Sequence, residues 1–347
     1  MIALRTPGVL DALAAAALFG VATPAAKVLL GEASPWLLAG LLYLGSGIGL
    51  FIWRRVRREP AGNISRGEWP WLGGAVLCGG VAGPVLLLYG LNAMPASGAA
   101  LLLNAEGVFT ALIAWFAFRE NFDRRIALGM LAIVAGAALL AWPGDAQLGS
   151  ALPALAVLGA CLAWGLDNNL TRRVSLSDAT FIAMVKGLAA GATNTALAFA
   201  VGAKLPGAGV LAMSLVLGFV SYGLSLSLFV VALRQLGTAR TGAYFSTAPF
   251  AGAALAIAFL GEPAGWRFAA SAALMALGVW LHLTERHDHA HAHERVEHSH
   301  EHAHDEHHQH DHDVPVPADT RHSHRHVHES LQHAHPHYPD AHHRHEH

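Results

Sequence analysis

The residues best able to do chemistry are histidines, and they are confined to one end of the chain. Twelve lie within the 27 residues from His287 to Asp313: His287, His289, His291, His293, His298, His300, His302, His304, His307, His308, His310 and His312. His322, His324, His326 and His328 continue the alternation. Neutral imidazole is the commonest protein ligand for divalent transition metals, and the interspersed Asp and Glu can join it. No fixed zinc-finger spacing is present, so the pattern predicts several exchangeable sites for Ni2+, Zn2+, Co2+ or Cu2+ and no required cofactor. Imidazoles titrating near pH 6.5 would also give this segment up to 23 positive charges on acidification, so pH sensing competes with metal capture.

A second set of polar residues stands where polar groups are costly. Asn104, Glu106 and Lys186 fall inside apolar runs, and Asp167, Asn168 and Asn169 close another. An unpartnered polar group in hydrocarbon costs several kcal/mol, so each of these demands a partner or water. A Glu106–Lys186 pair at mid-depth is one solution, and Glu106 could then take up a proton or cation while Lys186 neutralises it or meets an anion. The alternative is a static ion pair locking two helices. Asp167, Asn168 and Asn169 either satisfy backbone groups at a helix end or form a polar mouth. Lys27 can reach the headgroups, Pro24 should kink its helix, and Trp36, Trp69, Trp71, Trp142 and Trp266 suit interfacial anchoring. Cys78 and Cys161 sit in apolar runs and support neither a disulfide framework nor a thiolate site.

All 24 histidines lie at or after His282, so the chain divides sharply. Residues 1–283 carry 17 basic and 11 acidic residues; residues 284–347 carry five arginines and 13 acids. The first part is dominated by Ala, Leu, Gly and Val, far too apolar for a soluble surface of that size. A bilayer asks for roughly 20 apolar residues per spanning helix. Ten spans are predicted, near 9–30, 35–53, 69–91, 96–118, 124–142, 150–170, 178–200, 209–232, 241–260 and 267–283. The connections Asn92–Pro95 and Gly261–Trp266 are short enough for a merged or re-entrant helix. No cleaved signal peptide is expected, since Asp11 and Lys27 interrupt the first apolar run. Thirteen basic residues fall on one side of this threading and only Lys204 and Arg267 on the other, which puts both termini in the cytoplasm. The acidic last part has almost no large aliphatic residues to bury and is predicted to be disordered.

The spans pair across the chain. Phe19-Gly20 and Trp164-Gly165 stand 145 residues apart, and Arg119-Glu120 and Gly261-Glu262 stand 142 apart. Five spans per half is an odd number, so the second half enters from the opposite side, giving an inverted repeat of 9–142 and 149–283 followed by the tail 284–347. Gly and Ala recurring in GSGIG (Gly45–Gly49) and AGAALA (Ala251–Ala256) suit close helix packing in lipid.

This total pattern resembles the EamA-type carriers of the drug/metabolite transporter superfamily over residues 8–283, although prolines such as Pro95 and Pro249 match only loosely. The resemblance implies an all-α, ten-helix inner-membrane exporter or exchanger of small metabolites, amino acids or drugs. It also implies a cavity built by spans one to four and six to nine, with spans five and ten peripheral. The histidine tail is an addition to that body.

The sequence therefore reads as a secondary transporter, monomeric or homodimeric, of a small metabolite or a divalent metal ion, whose cytoplasmic tail binds metal as cargo or signal. A membrane-anchored metal store or sensor without transport is the rival. An enzyme is disfavoured for want of a nucleotide motif or a nucleophile–base constellation, and the acidic tail disfavours nucleic acid.

Overall fold

The computed structural model describes residues 8–60, 62, 64–118, 124–141, 151–175, 177–284, 288–293, 296–302, 322–328 and 331–336. Two units emerge, Met1–Glu285 and Arg286–His347. The described part of the first is entirely helical: α1 (Val9–Gly20), α2 (Ala22–Leu29), α3 (Pro35–Arg57), α4 (Trp69–Ala75), α5 (Gly83–Ala93), α6 (Ala96–Leu102), α7 (Ala105–Phe118), α8 (Arg124–Ala141), α9 (Leu152–Arg172), α10 (Ala179–Ala200), α11 (Ala208–Leu217), α12 (Ser225–Phe245), α13 (Ala248–Leu260) and α14 (Trp266–Leu283). Two π-helical segments, Val76–Ala82 and Gly218–Leu224, join α4 to α5 and α11 to α12.

Among the described residues seven helices are long and apolar enough to cross a membrane, and the apolar stretch Ala127–Ala141 within α8 is shorter. The chain is thus an all-α, multi-pass membrane protein; the expected count of ten also includes α8, α9 and α14. α8 and α14 pack chiefly on one another. The connections at Asn92–Pro95 and Gly261–Trp266 are true breaks between helices. The gap expected between residues 232 and 241 is not: α12 stays helical there, with no proline to remove a donor, and breaks at Ser246–Thr247.

Local chemistry sets several ends. Ser34 caps α3 with its hydroxyl accepting from the Leu37 N–H, Pro35 occupies the first turn, and Arg58 ends the helix with φ 52°. Asp178 caps α10 through the Phe181 N–H at 3.0 Å. Pro24 cannot donate to the Gly20 carbonyl, and α1 gives way to α2 at Val21. The discontinuities recur at a fixed offset. The π-segments start at Val76 and Gly218, 142 residues apart, and the breaks at Leu103–Asn104 and Ser246–Thr247 are 143 apart.

Burial of apolar surface supplies little drive in lipid, so backbones must approach closely. α3 and α10 do so through glycine: a Cβ on Gly187 would lie 2.5 Å from the Gly47 nitrogen, and one on Gly191 would lie 2.5 Å from the Leu44 nitrogen.

The described segments of the second unit are four strands, β1 (Asp288–His293), β2 (Val296–His302), β3 (His322–His328) and β4 (Leu331–Pro336). β1 pairs antiparallel with β4 and β2 with β3, placing His298 opposite His326, His300 opposite His324 and His302 opposite His322. A period-two sequence suits such a ladder, which pairs the facing backbone groups of its two strands. His287, His304, His307, His308, His310 and His312, like Trp142 and Arg119-Glu120, lie outside the described residues.

The α3–α10 contact yields a direct test. Gly187→Leu is expected to lower the melting temperature and folded yield in detergent sharply, since backbone would have to move. Gly73→Ala, at a helical glycine facing open space, should be neutral or stabilise by up to about 1 kcal/mol.

Candidate functional site

α9 supplies the framework. Trp164, Asp167, Asn168 and Thr171 recur at intervals of three and four, so they share one face. Neighbouring positions on a helix diverge by about 100°, which lets Asp167 and Asn168 serve different partners. Lys186 of α10 places its Nζ 2.5 Å from Asp167 Oδ1 and 3.0 Å from Thr171 Oγ1, and Thr171 donates to Asp167 at 2.8 Å. Lys186 is 1% exposed and Asp167 5%. Asn168 instead turns to α7, donating to Glu106 Oε1 at 2.9 Å and to Thr110 Oγ1 at 3.1 Å.

This corrects the pairing expected from sequence. Lys186 does not meet Glu106; it is committed to Asp167, and Glu106 has an amide partner and no ion-pair partner among the described residues. Glu106 occupies the first turn of α7, where the helix dipole favours negative charge.

Glu106, Asp167 and Asn168 line a cavity that leaves about 480 Å³ of empty space including its opening. Six aromatic residues, Phe19, Tyr43, Trp164, Tyr222, Phe229 and Phe245, make most of its other walls, with Ser221, Ser225 and Leu226 between them. Phe19 is the hub, with ring centroids 6.1 Å from Trp164, 5.6 Å from Tyr222 and 5.3 Å from Phe245. A smaller adjoining pocket, lined in part by Thr110, Ser246 and Pro249, shares Phe19 and Glu106 with it.

The π-segments bring polar atoms to this wall. A π-turn misaligns carbonyls from the regular ladder and recurs at functional sites. Here Gly79 O accepts from both the Tyr43 hydroxyl at 2.7 Å and Trp164 Nε1 at 2.9 Å, and Gly80 O accepts from Asn194 at 2.8 Å. The second segment presents Tyr222 and Ser221, whose buried hydroxyl has no hydrogen-bond partner.

Two expected site residues lie elsewhere. Asn104 is fully buried at the α6–α7 break, donating to Leu101 O at 3.0 Å and facing Met275 Sδ at 3.7 Å, away from the cavity. Asn169 satisfies backbone, donating to Thr110 O and Gly165 O at 3.0 and 2.8 Å. Tyr43, Ser221 and Tyr222 carry no signal in the sequence, because a mid-span hydroxyl residue looks the same whether it packs or lines a cavity.

Polar clamps hold other parts of the bundle. Lys27, expected to reach the headgroups, instead donates to Leu91 O and Met94 O at 2.7 and 2.9 Å. Glu262 accepts from the N–H groups of Ala96 and Ser97, both at 2.7 Å. A cation thus meets the C-terminus of α5 and an anion the N-terminus of α6. Near the C-terminal end of α3, Arg54 binds Asp178 at 2.6 Å, Glu59 at 2.9 Å and Pro60 O at 2.7 Å, and also bonds Thr180. Burial pushes the carboxyls of Asp178 and Glu262 up, but hydrogen bonds outweigh it and hold both below the usual carboxylate range. The donors are the Phe181 N–H, Arg54 and Thr180 for Asp178, and Ser97 and Ala96 for Glu262, with the Lys27 charge adding to the latter.

Comparison with known proteins follows this geometry. A family profile described as "EamA-like transporter family" matches twice, at residues 6–142 and 151–284. An "Uncharacterized transporter" of Methanothermobacter thermautotrophicus is 28% identical over 298 residues, covering 80% of this chain and 86% of its own length. A "Probable 4-amino-4-deoxy-L-arabinose-phosphoundecaprenol flippase subunit ArnE" of Pseudomonas paraeruginosa is 38% identical over 109 residues, 30% of this chain and 92% of that one. A solved crystal structure aligns with a TM-score of 0.62 at 18% identity, over 79% of this chain and 95% of that chain, a likeness of fold alone.

Two outcomes are expected. Lys186→Met leaves Asp167 buried without its cation and should cost about 3–5 kcal/mol, most of it recovered in the Lys186→Met/Asp167→Asn double variant; thermal melts of purified protein check this. Depressed folded-state carboxyls contribute stability above their unfolded pKa, near 4, and lose it as pH falls through the lower folded values. The melting-temperature advantage of wild type over Glu262→Gln should therefore be flat above about pH 5 and vanish at still lower pH.

Proposed function

Because this chain belongs to the EamA-like transporter family, a family of carriers and not enzymes, we propose how this secondary transporter of small molecules works. It exports a small organic solute across a bacterial inner membrane by alternating access, using ten spans arranged as two inverted repeats, 9–142 and 149–283. The equal spacing of the π-segments supports the duplication. The concentration of basic residues on one side of the threading supports cytoplasmic termini.

One observation carries the mechanism. Glu106 is the cavity carboxylate without a basic partner, beside an Asp167–Lys186 pair that neutralises itself. A single such carboxylate can hold a proton or a positively charged solute in turn, and that exclusivity couples the two fluxes. Other titratable groups around it are Asp167 and Cys161 of α9, Tyr43 of α3 and Tyr222 of the second π-segment, with Lys186 behind Asp167. Asp167 and Lys186 hold the cavity's shape, Asn168 orients Glu106, and Asn104 and Asn169 fasten helices.

An organic cargo is favoured over a metal ion. Among the described residues no three ligating side chains converge, and the cavity walls are aromatic. The curated relatives named as flippase subunits for an amino-sugar lipid accord with an organic cargo. The tail is a cytoplasmic segment that binds Ni2+, Zn2+, Co2+ or Cu2+ as a signal; its density of histidine keeps the metal-store reading as the rival.

Proteoliposomes with an imposed pH gradient test this. Glu106→Gln is expected to lower gradient-driven flux about tenfold or more, which corresponds to at least 1.4 kcal/mol, with folded protein retained. Deleting residues 284–347 should leave flux in metal-free buffer unchanged. Equal flux in Glu106→Gln and wild type contradicts the mechanism, and a phenotype dependent only on the tail favours the store. Zinc titration should show binding at pH 7 that weakens at pH 5.5 as imidazoles protonate.

A further inference from the structure

We propose that the cavity selects an organic monocation, an ammonium group carried on an aromatic or similarly bulky apolar body. The inference rests on the carrier reading and names its substrate class.

Charge comes first. Among the described residues the carboxylate and ammonium side chains lining or backing the cavity are those of Glu106, Asp167 and Lys186, which sum to one negative charge when all three are ionised. A solute of one positive charge closes that balance, and an anion worsens it. A zwitterion leaves that balance open unless a cation meets its carboxylate as well. Among the described residues the cation at hand is Lys186, whose Nζ is already bound to Asp167 and Thr171 and which is 1% exposed. Amino acids are therefore poor cargo here, although their ammonium groups would suit Glu106.

The walls decide between a metal ion and an organic ion. A divalent ion wants four to six nitrogen, oxygen or sulfur ligands, and among the described residues this cavity's lining offers Glu106 as a carboxylate without a cation and Ser221 as a buried hydroxyl without a partner. Six aromatic rings supply what an organic ammonium wants: apolar contact for its body and π-faces for its charge, worth roughly 0.5–2 kcal/mol each when desolvated. Ser221 is fully buried, its Oγ has no partner, and it lines this same cavity. An unsatisfied buried hydroxyl is costly, and the N–H of a primary ammonium would satisfy it where a quaternary one could not.

The test compares four probes of similar size or charge on full-length protein in proteoliposomes: phenethylamine, 3-phenylpropionate, phenylalanine and zinc. Each is used to drive counterflow of its own labelled form, with binding measured in parallel on protein in nanodiscs. Phenethylamine is expected to exchange and to bind at least about tenfold more tightly than the others. Ser221→Ala should weaken phenethylamine while leaving its trimethylammonium analogue unchanged, a difference that a folding defect would not produce. Exchange of 3-phenylpropionate, phenylalanine or zinc equal to that of phenethylamine overturns the substrate class and leaves the carrier reading standing. Exchange of none of the four, by protein shown to be folded, likewise overturns the substrate class, whereas the coupling role of Glu106 fails only if Glu106→Gln and wild type carry equal flux.

Discussion

Lipid cannot solvate an isolated charge, and the arrangement of this bundle follows from how that constraint is met at Lys186. Its ammonium is enclosed between α9 and α10 and meets Asp167 at 2.5 Å, with Thr171 completing the contact. An ion pair so enclosed gains little over apolar packing but is very costly to break on one side. It joins the packing of α9 on α5, α7 and the first π-segment in holding the rotation of α9. At that rotation the adjacent Asn168 points to α7, and Glu106 is left as the carboxylate in the cavity whose charge is free to be matched by something else.

The cavity itself exists because the helices are irregular where regular ones would seal it. Two π-segments, 142 residues apart, release the Gly79 and Gly80 carbonyls to Tyr43, Trp164 and Asn194 and set Ser221 and Tyr222 into the wall. The helices also break at Val21, Leu103–Asn104 and Ser246–Thr247, where Pro24 withholds a backbone donor and Asn104 donates to the Leu101 carbonyl. Glycine contacts between α3 and α10 hold backbone against backbone. The polar clamps of Lys27, Glu262 and Arg54 then tie helix ends without filling the interior.

Much of this was legible as pattern. Apolar runs punctuated by charge give the helices, and Glu106 stands out in sequence because no other carboxylate lies mid-run. Its partner was misread, since spacing along a chain says nothing about which helices touch. Lys186 and Asp167 are 19 residues apart on helices whose facing depends on the whole bundle. Lys27 looked interfacial because nothing local reveals the carbonyls at the end of α5. Glu262 was visible as a repeated helix-closing residue, yet its role at the N-terminus of α6 needs contact across 165 residues. The tail's alternation announces ligands, and the same period two also builds strands.

The account turns on Glu106 holding either a proton or the cargo. Calorimetry of phenethylamine binding to the purified protein, repeated in buffers of different ionisation enthalpy, counts the protons released per ligand bound. Wild type is predicted to release protons on binding, in a number that falls as the pH is raised, and Glu106→Gln none. Proton release that survives intact in Glu106→Gln would contradict it.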